Sequence, residues 1–529
     1  MRAFDTSQNC RIRISHMSRQ SSQIHDLLVV GGGVNGCGIA RDAVGRGLSV
    51  VLCEQGDLGG ETSSSSTKLF HGGLRYLEHY KFRLVHEALV EREVLLNAMP
   101  HISRPLRFVL PIRKGMRPEW LLRLGLFLYD SLGGRKLLPG TRRLDLSTDA
   151  AGHPLNDRYK RAFEYSDCWV DDARLVVLNA RSASDLGADV LVRTRLVDAE
   201  RVGDKWTATL EDSRTNDRFI VSARCIVNAA GPWVADVIVN KLHVESLAKI
   251  RLVRGSHVVV PNLFEHDKAY IFQNDDGRIV FAIPYEDDFT LIGTTDVDHP
   301  DLNERPVCSD QEADYLCATV SKYFDAPVSV SDIVWRYSGV RPLYDDGASS
   351  ASSATRDYML NFSDDRDCAP LLNVFGGKIT TYRRLAETVL ERLQPFFPDM
   401  GSPWTADAKL PGGMIPVEQV DSLIARFQRA YPFMHGNWVR RMVRAYGTDT
   451  SNVLGHARSE IQLGTHFGAT LYEAEVRWLI EREWASTAED VLWRRTKQGL
   501  HLSDTEAQNL ADWMDAYFSE RPFATNMVA

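Results

Sequence analysis

Residues 26–54 read DLLVVGGGVNGCGIARDAVGRGLSVVLCE. The apolar run 27–30 predicts a strand, 39–45 a helix and 48–53 a second strand, which together open a βαβ unit. Between the first strand and the helix, Gly31, Gly33 and Gly36 form a GxGxxG turn, and Glu54 closes the second strand. Small residues let the backbone approach a pyrophosphate at a helix N-terminus, whose free N–H groups and dipole favour anions. An acid at the position of Glu54 accepts hydrogen bonds from ribose hydroxyls. Strand, turn, helix and acid together predict a dinucleotide site; a glycine turn that only packs helix on strand is the alternative.

Further along, a helix and short strands between 171 and 231 end in the apolar run 225–227 followed by Asn228, Ala229, Ala230 and Gly231, a return to the same sheet. Residues 252–296 differ: short β-type runs at 256–260, 279–283 and 290–292 alternate with Pro, Asn, Asp and Gly turn signals, predicting an antiparallel sheet in a second domain. After 371–375, Gly376 and Gly377 are read as opening a helix through Tyr382 and Leu390, a third visit to the nucleotide domain. Beyond the Pro- and Gly-containing stretch 396–416 the spacing of Trp478, Leu479, Trp484, Leu492 and Trp493 is helical. The expected fold is therefore α/β: a Rossmann-like nucleotide domain with an inserted antiparallel-sheet domain over 26–400, a helical domain over 401–529, and a disordered tail over 1–25. That tail carries Arg2, Arg11, Arg13 and Arg19; a targeting segment, or a start at Met17, are the other readings.

At 529 residues, 44% hydrophobic and 25% charged, the chain can bury more than one core, and its formal net charge of -8 argues against a nucleic-acid binder held by a broad basic surface. The 8 cysteines include no CxxC pair, so neither a zinc site nor a disulfide framework is expected. No stretch reaches the roughly 20 apolar residues needed to span a bilayer.

Residues 65–77, SSTKLFHGGLRYL, form a long and specific motif. It resembles the signature of FAD-dependent glycerol-3-phosphate dehydrogenases. The loop 31–38, the segments 229–233 (AAGPW), 337–343 (YSGVRPL) and 376–383 (GGKITTYR), and the C-terminal 492–497 (LWRRTK) resemble the same family in the same order. The resemblance implies noncovalent FAD, hydride transfer from substrate C2 to the flavin, and reduction of a quinone in a respiratory chain. Arg254, where many relatives carry lysine, is a departure that puts any lysine-dependent donor geometry in doubt.

Oxidising a phosphorylated secondary alcohol needs a cationic clamp, a base and a fixed approach. With the resemblance as guide, Arg75 and Arg341 are the expected phosphate ligands, because a guanidinium donates two parallel hydrogen bonds, with Tyr76 and Arg356 as additions. Lys378 is expected near the flavin or the substrate. Ser66, Thr67, Lys68, Gly72, Gly231, Gly377, Thr380 and Thr381 are expected to contact the cofactor. For the base the reading leaves His71 and His257 open, since imidazole titrates near neutrality.

Residues 120–132, WLLRLGLFLYDSL, are too short to span a membrane and are flanked by Arg113, Lys114, Arg117, Arg135, Lys136, Arg142 and Arg143. This suits an interfacial helix; a buried domain helix is the alternative. The expected partners are glycerol 3-phosphate, ubiquinone or another quinone, and the cytoplasmic face of a bacterial inner membrane, without nucleic acid or metal and with a homodimer left open. A glycerophosphate oxidase making hydrogen peroxide and a noncatalytic flavin-binding protein are the rival functions.

Overall fold

The computed structural model describes residues 20–112, 118–134, 136–245, 250–274, 276–344, 357–363 and 368–520. Its first sheet runs in the order Met359–Ser363, Leu371–Phe375, Arg218–Asn228, Gln20–Val30, Val50–Glu54, Asp189–Val192. The inner neighbours pair in parallel, with Leu28 opposite both Val51 and Ile226. Alternation explains why the run 27–30 is apolar throughout: Leu27 and Val29 pack under the helices Val34–Gly45, Asp172–Asp185 and Tyr382–Leu393. Leu28 and Val30 face the opposite layer, built on the meander of Thr194–Val202, Lys205–Asp212 and Arg218–Asn228 and sealed by Trp206. A strand buried on both faces has no polar side to show. The first strand begins at Gln20, so part of the expected tail is strand; residues 1–19 lie outside the described ones.

The second sheet has ten strands. Beyond the three runs expected from 252–296 it recruits Ala269–Gln273, Ser103–Pro111 and Arg161–Val170, and Trp335–Tyr344 lies along Ile250–Pro261. The expected antiparallel pairing holds throughout 252–296, and the one parallel joint of this sheet among the described residues is where Ala269–Gln273 meets Ser103–Pro111. The strand Arg161–Val170 is hard to see in sequence because it buries acids, each satisfied from elsewhere: Asp167 by Arg92 and Tyr129, Glu164 by Arg107 and Lys268. Buried charges persist only when so paired.

The C-terminal helices, among them Val420–Ala430, Gly436–Tyr446, Glu473–Glu483 and Asp504–Glu520, share an apolar core of their own from Val420 to Met514. Buried ion pairs fasten them to the first domain, including Arg174 with Glu483 and Arg495 with Asp57.

Candidate functional site

A cavity of about 360 Å³ opens where strands of the first sheet end, at their carboxyl edge, and continues between the two sheets. Ligands of open α/β sheets bind at that edge. The nucleotide end is the glycine turn. Gly31 has φ +110, and a Cβ there would stand 2.5 Å from the Ala229 carbonyl oxygen. Glu54 accepts hydrogen bonds from the Gly32 and Gly56 N–H groups at 2.6 and 2.7 Å, while burial pushes its carboxyl up to about 6. Gly31, Gly33 and Glu54 line the cavity, whereas Gly36 does not: its Cβ would lie 1.9 Å from the Gly31 carbonyl oxygen, so its smallness lets the helix pack under the turn.

The other walls come from the later returns of the chain to the sheet. Ala229, Ala230, Gly231 and Trp233 follow the strand Arg218–Asn228, and Gly376, Gly377, Lys378 and Thr380 follow Leu371–Phe375. Asn35 Nδ2 donates to the Gly376 carbonyl at 3.1 Å and ties the first visit to the third. Its place inside the glycine loop could have signalled this. The helix expected to open at Gly376 starts only at Tyr382, so Lys378 and Thr380 sit in a loop whose free length lets them face inward.

His71, Tyr76, Arg341, Lys378 and Thr380 also line the cavity. The His71 N–H donates to Thr380 Oγ1 at 3.3 Å, and Lys378 Nζ stands 3.9 Å from the Tyr76 ring centroid. Arg341 donates to Asp296 Oδ1 at 2.7 Å and to Thr294 Oγ1 at 3.0 Å. Gly255 makes room for it, since a Cβ there would lie 2.2 Å from Arg341 Nη2. Thr294 and Asp296, which carry no motif, were beyond the sequence reading.

Several expected contacts lie elsewhere. Lys68 is fully buried, donates to Asp172 Oδ1 at 2.6 Å and to the Ser64 carbonyl at 3.1 Å, and forms no part of the cavity wall. Ser66 and Thr67 do line it, and Ser66 Oγ donates to the same Asp172 at 2.7 Å. Gly72 donates its N–H to Tyr129 Oη at 2.7 Å and packs against Leu89, away from the cavity. Thr381 is buried at the N-cap of Tyr382–Leu393 and also leaves the wall to Thr380. His257, 1% exposed, reaches the cavity only through Thr67, whose Oγ1 lies 3.0 Å from its Nε2. Burial, then Arg341 and Lys68, hold its pKa well below the usual imidazole range. Arg254 is engaged with Glu312 at 2.8 Å. Arg75 lies in the turn Leu74–His79, but its side chain, like all of Arg356, lies outside what is described.

A glycine turn too tight for side chains at Gly31 and Gly36, an acid at the end of the second strand and a cavity reaching three returns of the chain fit a flavin dinucleotide. This fold and site define an FAD-dependent oxidoreductase, and the model of the family described as FAD dependent oxidoreductase matches residues 26–383. The model described as C-terminal domain of alpha-glycerophosphate oxidase matches residues 403–519. Over 490 residues, 93% of this chain and 97% of the relative, the sequence is 53% identical to D-erythritol 1-phosphate dehydrogenase of Brucella abortus. It is 48% identical to the aerobic glycerol-3-phosphate dehydrogenase of Escherichia coli over 94% of this chain and 98% of that one. The X-ray structure of the glycerol-3-phosphate dehydrogenase from Bacillus halodurans complexed with FAD superposes with a TM-score of 0.76 at 25% identity, covering 96% of this chain and 94% of that one. The chain belongs to the FAD-dependent glycerol-3-phosphate dehydrogenase family, and it is an FAD-dependent dehydrogenase of a phosphorylated polyol.

Proposed function

We propose that the chain oxidises sn-glycerol 3-phosphate to dihydroxyacetone phosphate and passes the electrons to a membrane quinone. The observation that carries this reading is that Arg341, Lys378 and His71 line the same cavity as the glycine turn. Two cations suit a phosphate monoester, and the imidazole supplies a proton acceptor beside them. Bound FAD supplies the acceptor for the hydride that leaves C2. His71 takes the hydroxyl proton as the C2–O bond becomes a carbonyl. His257 is the weaker base, because protonation there would bury a third positive charge beside Arg341 and Lys68.

Membrane attachment is supported by the helix Glu119–Leu132. Leu122, Leu126 and Tyr129 face inward, whereas Trp120, Leu121, Leu124 and Phe127 are 68%, 40%, 47% and 64% exposed. Among the described residues no helix is long and apolar enough to cross a membrane, so attachment would be peripheral. Of the flanking basic residues, Arg113, Lys114, Arg117 and Arg135 lie outside the described ones, Lys136 is exposed, and Arg142 and Arg143 pair with Glu164 and Glu119; Arg123, within the helix, is exposed.

A second substrate, D-erythritol 1-phosphate, is favoured by the 53% identity to the Brucella abortus enzyme. Anaerobic bleaching of the flavin by glycerol 3-phosphate, erythritol 1-phosphate and the unphosphorylated polyols decides between them: the higher kcat/KM names the substrate. Bleaching by free glycerol at equal efficiency would overturn the phosphate clamp. Peroxide yield matching turnover in air, without quinone reduction, would replace the dehydrogenase by an oxidase.

A further inference from the structure

We infer that the C-terminal segment 494–497 (RRTK) is a lock on the flavin cavity, with Arg495 its principal positioning residue. Arg495, buried, grips Asp57 through two hydrogen bonds of 2.7 Å, Nη1 to Oδ2 and Nη2 to Oδ1. Its orientation is fixed in turn, because Nη2 also donates to the Glu483 carbonyl at 2.8 Å. Arg494 adds a contact of 2.5 Å from Nε to Asp57 Oδ2.

Asp57 lies in the loop that leaves Glu54, and Gln55, Gly59, Gly60 and Glu61 of that loop line the cavity. The loop is stitched to the glycine turn, since the Gly59 N–H donates to the Gly32 carbonyl at 3.0 Å. A chain of direct contacts thus runs from Arg495 through Asp57 to the backbone that cradles the dinucleotide. The same segment holds two further walls. Asp490, bonded to Arg494, accepts from Arg193 at 2.8 Å, next to the cavity residues Thr194 and Arg195. Lys497 Nζ stands 3.5 Å from Asp171, beside the Asp172 that secures Ser66. Three separated stretches of cavity wall are therefore tied to the helical domain, by Arg494 and Arg495 at Asp57, by Asp490 at Arg193 and by Lys497 at Asp171. A bidentate, buried ion pair sets a position more narrowly than a surface contact does. Without Arg495, Asp57 would keep the Arg494 contact but lose both bonds of the fork, and the loop would move to replace them.

The inference rests on the cavity being the flavin's. The test is the FAD dissociation constant of the full chain, stripped of flavin and titrated by fluorescence. Arg495→Met and Asp57→Asn are each expected to raise it at least tenfold, Arg495→Lys by less, and the double variant by less than the product of the two single effects. At saturating FAD the KM for the polyol phosphate should stay within twofold of wild type. A rise in KM parallel to the loss of FAD would mean general loosening and overturn the lock, as would an unchanged FAD affinity in either folded variant. If Arg495→Met does not fold, Asp57→Asn, which keeps the shape of the side chain, decides. Gly33→Asp serves as control for the cavity: flavin retained there would sink the cavity assignment, whereas a flavin-free control with tight binding in both Asp57→Asn and Arg495→Met would sink the lock alone.

Discussion

The imidazole of His257 lies face to face with the phenol ring of Tyr337, centroids 4.9 Å apart and planes 14° from parallel. Lys68 Nζ stands 5.2 Å from that same phenol ring, and Gly293 leaves no more than bare room for the imidazole. So enclosed, His257 is a neutral support for Thr67, and the proton acceptor proposed is His71. His71→Ala should lower kcat by about 10²–10⁴-fold, the range of general-base removal, with a primary isotope effect from C2-deuterated substrate retained or enlarged. His257→Asn should cost far less in kcat. Stopped-flow flavin reduction measures both, and the reverse ranking would move the base to His257.

Arg341 spans Asp296 and Thr294 and has the planar fork that a phosphate accepts. A hydrogen bond to a charged group contributes about 1.5–3 kcal/mol, so Arg341→Ala should raise KM for the phosphorylated substrate by more than about tenfold. FAD content should hold, because Thr294, Thr295 and Asp296, to which Arg341 donates, are not part of the glycine turn. Arg341→Lys should recover only part of the loss. Steady-state kinetics with unchanged KM would remove Arg341 from the site.

A pH effect on stability follows from His101, fully buried, with neither ring nitrogen hydrogen-bonded among the described residues. Burial, then Arg174, Arg444 and Arg181, lower its pKa from 6.5 to about 3. Above 6.5 both folded and unfolded chains hold it neutral; between 6.5 and about 3 only the unfolded chain takes up the proton, so stability falls as the pH falls. One such group gives a slope of about 1.4 kcal/mol per pH unit. Glu54 and Glu286, raised by burial to about 6 and about 7, act in the opposite sense, so the informative quantity is a difference. His101→Phe should remove up to that slope from the urea-unfolding free energy between pH 6 and 4, flavin held saturating. Equal slopes in variant and wild type would show that His101 titrates normally.

The nucleotide half was legible because glycine spacing and apolar periodicity are local signals. The strand Ser103–Pro111 was not, since Pro105 and Pro111 argue against a strand unless the whole sheet is known. Side-chain direction was equally hidden. Nothing in SSTKLFHGG says that Thr67 faces the cavity while its neighbour Lys68 turns away to Asp172, a partner 104 positions distant. The Arg495–Asp57 pair joins residues 438 apart, a relation only the folded chain displays.

The outer face of Glu119–Leu132 is apolar and exposed. Trp120, Leu124 and Phe127 are spaced so as to share that face, one to two turns apart, and Arg123 lies among them. An isolated exposed leucine calls for no explanation, but an indole, a phenyl ring and two leucines on one helix face beside basic groups match the composition of helices that lie in the headgroup boundary. At about 25 cal/mol per Å² of apolar surface, and 150–250 Å² for a fully buried aromatic, removing Trp120 and Phe127 from the interface should cost several kcal/mol. Trp120→Glu/Phe127→Glu should therefore lose most binding to vesicles containing anionic lipid, and more so than wild type loses it in high salt, which weakens only the basic contribution. Anaerobic flavin reduction by the substrate should remain as in wild type, because neither side chain approaches the cavity. Turnover with a membrane-embedded quinone should fall together with vesicle binding, while turnover with a water-soluble acceptor is kept. Undiminished sedimentation of the double variant with vesicles would give the helix back to a purely structural role.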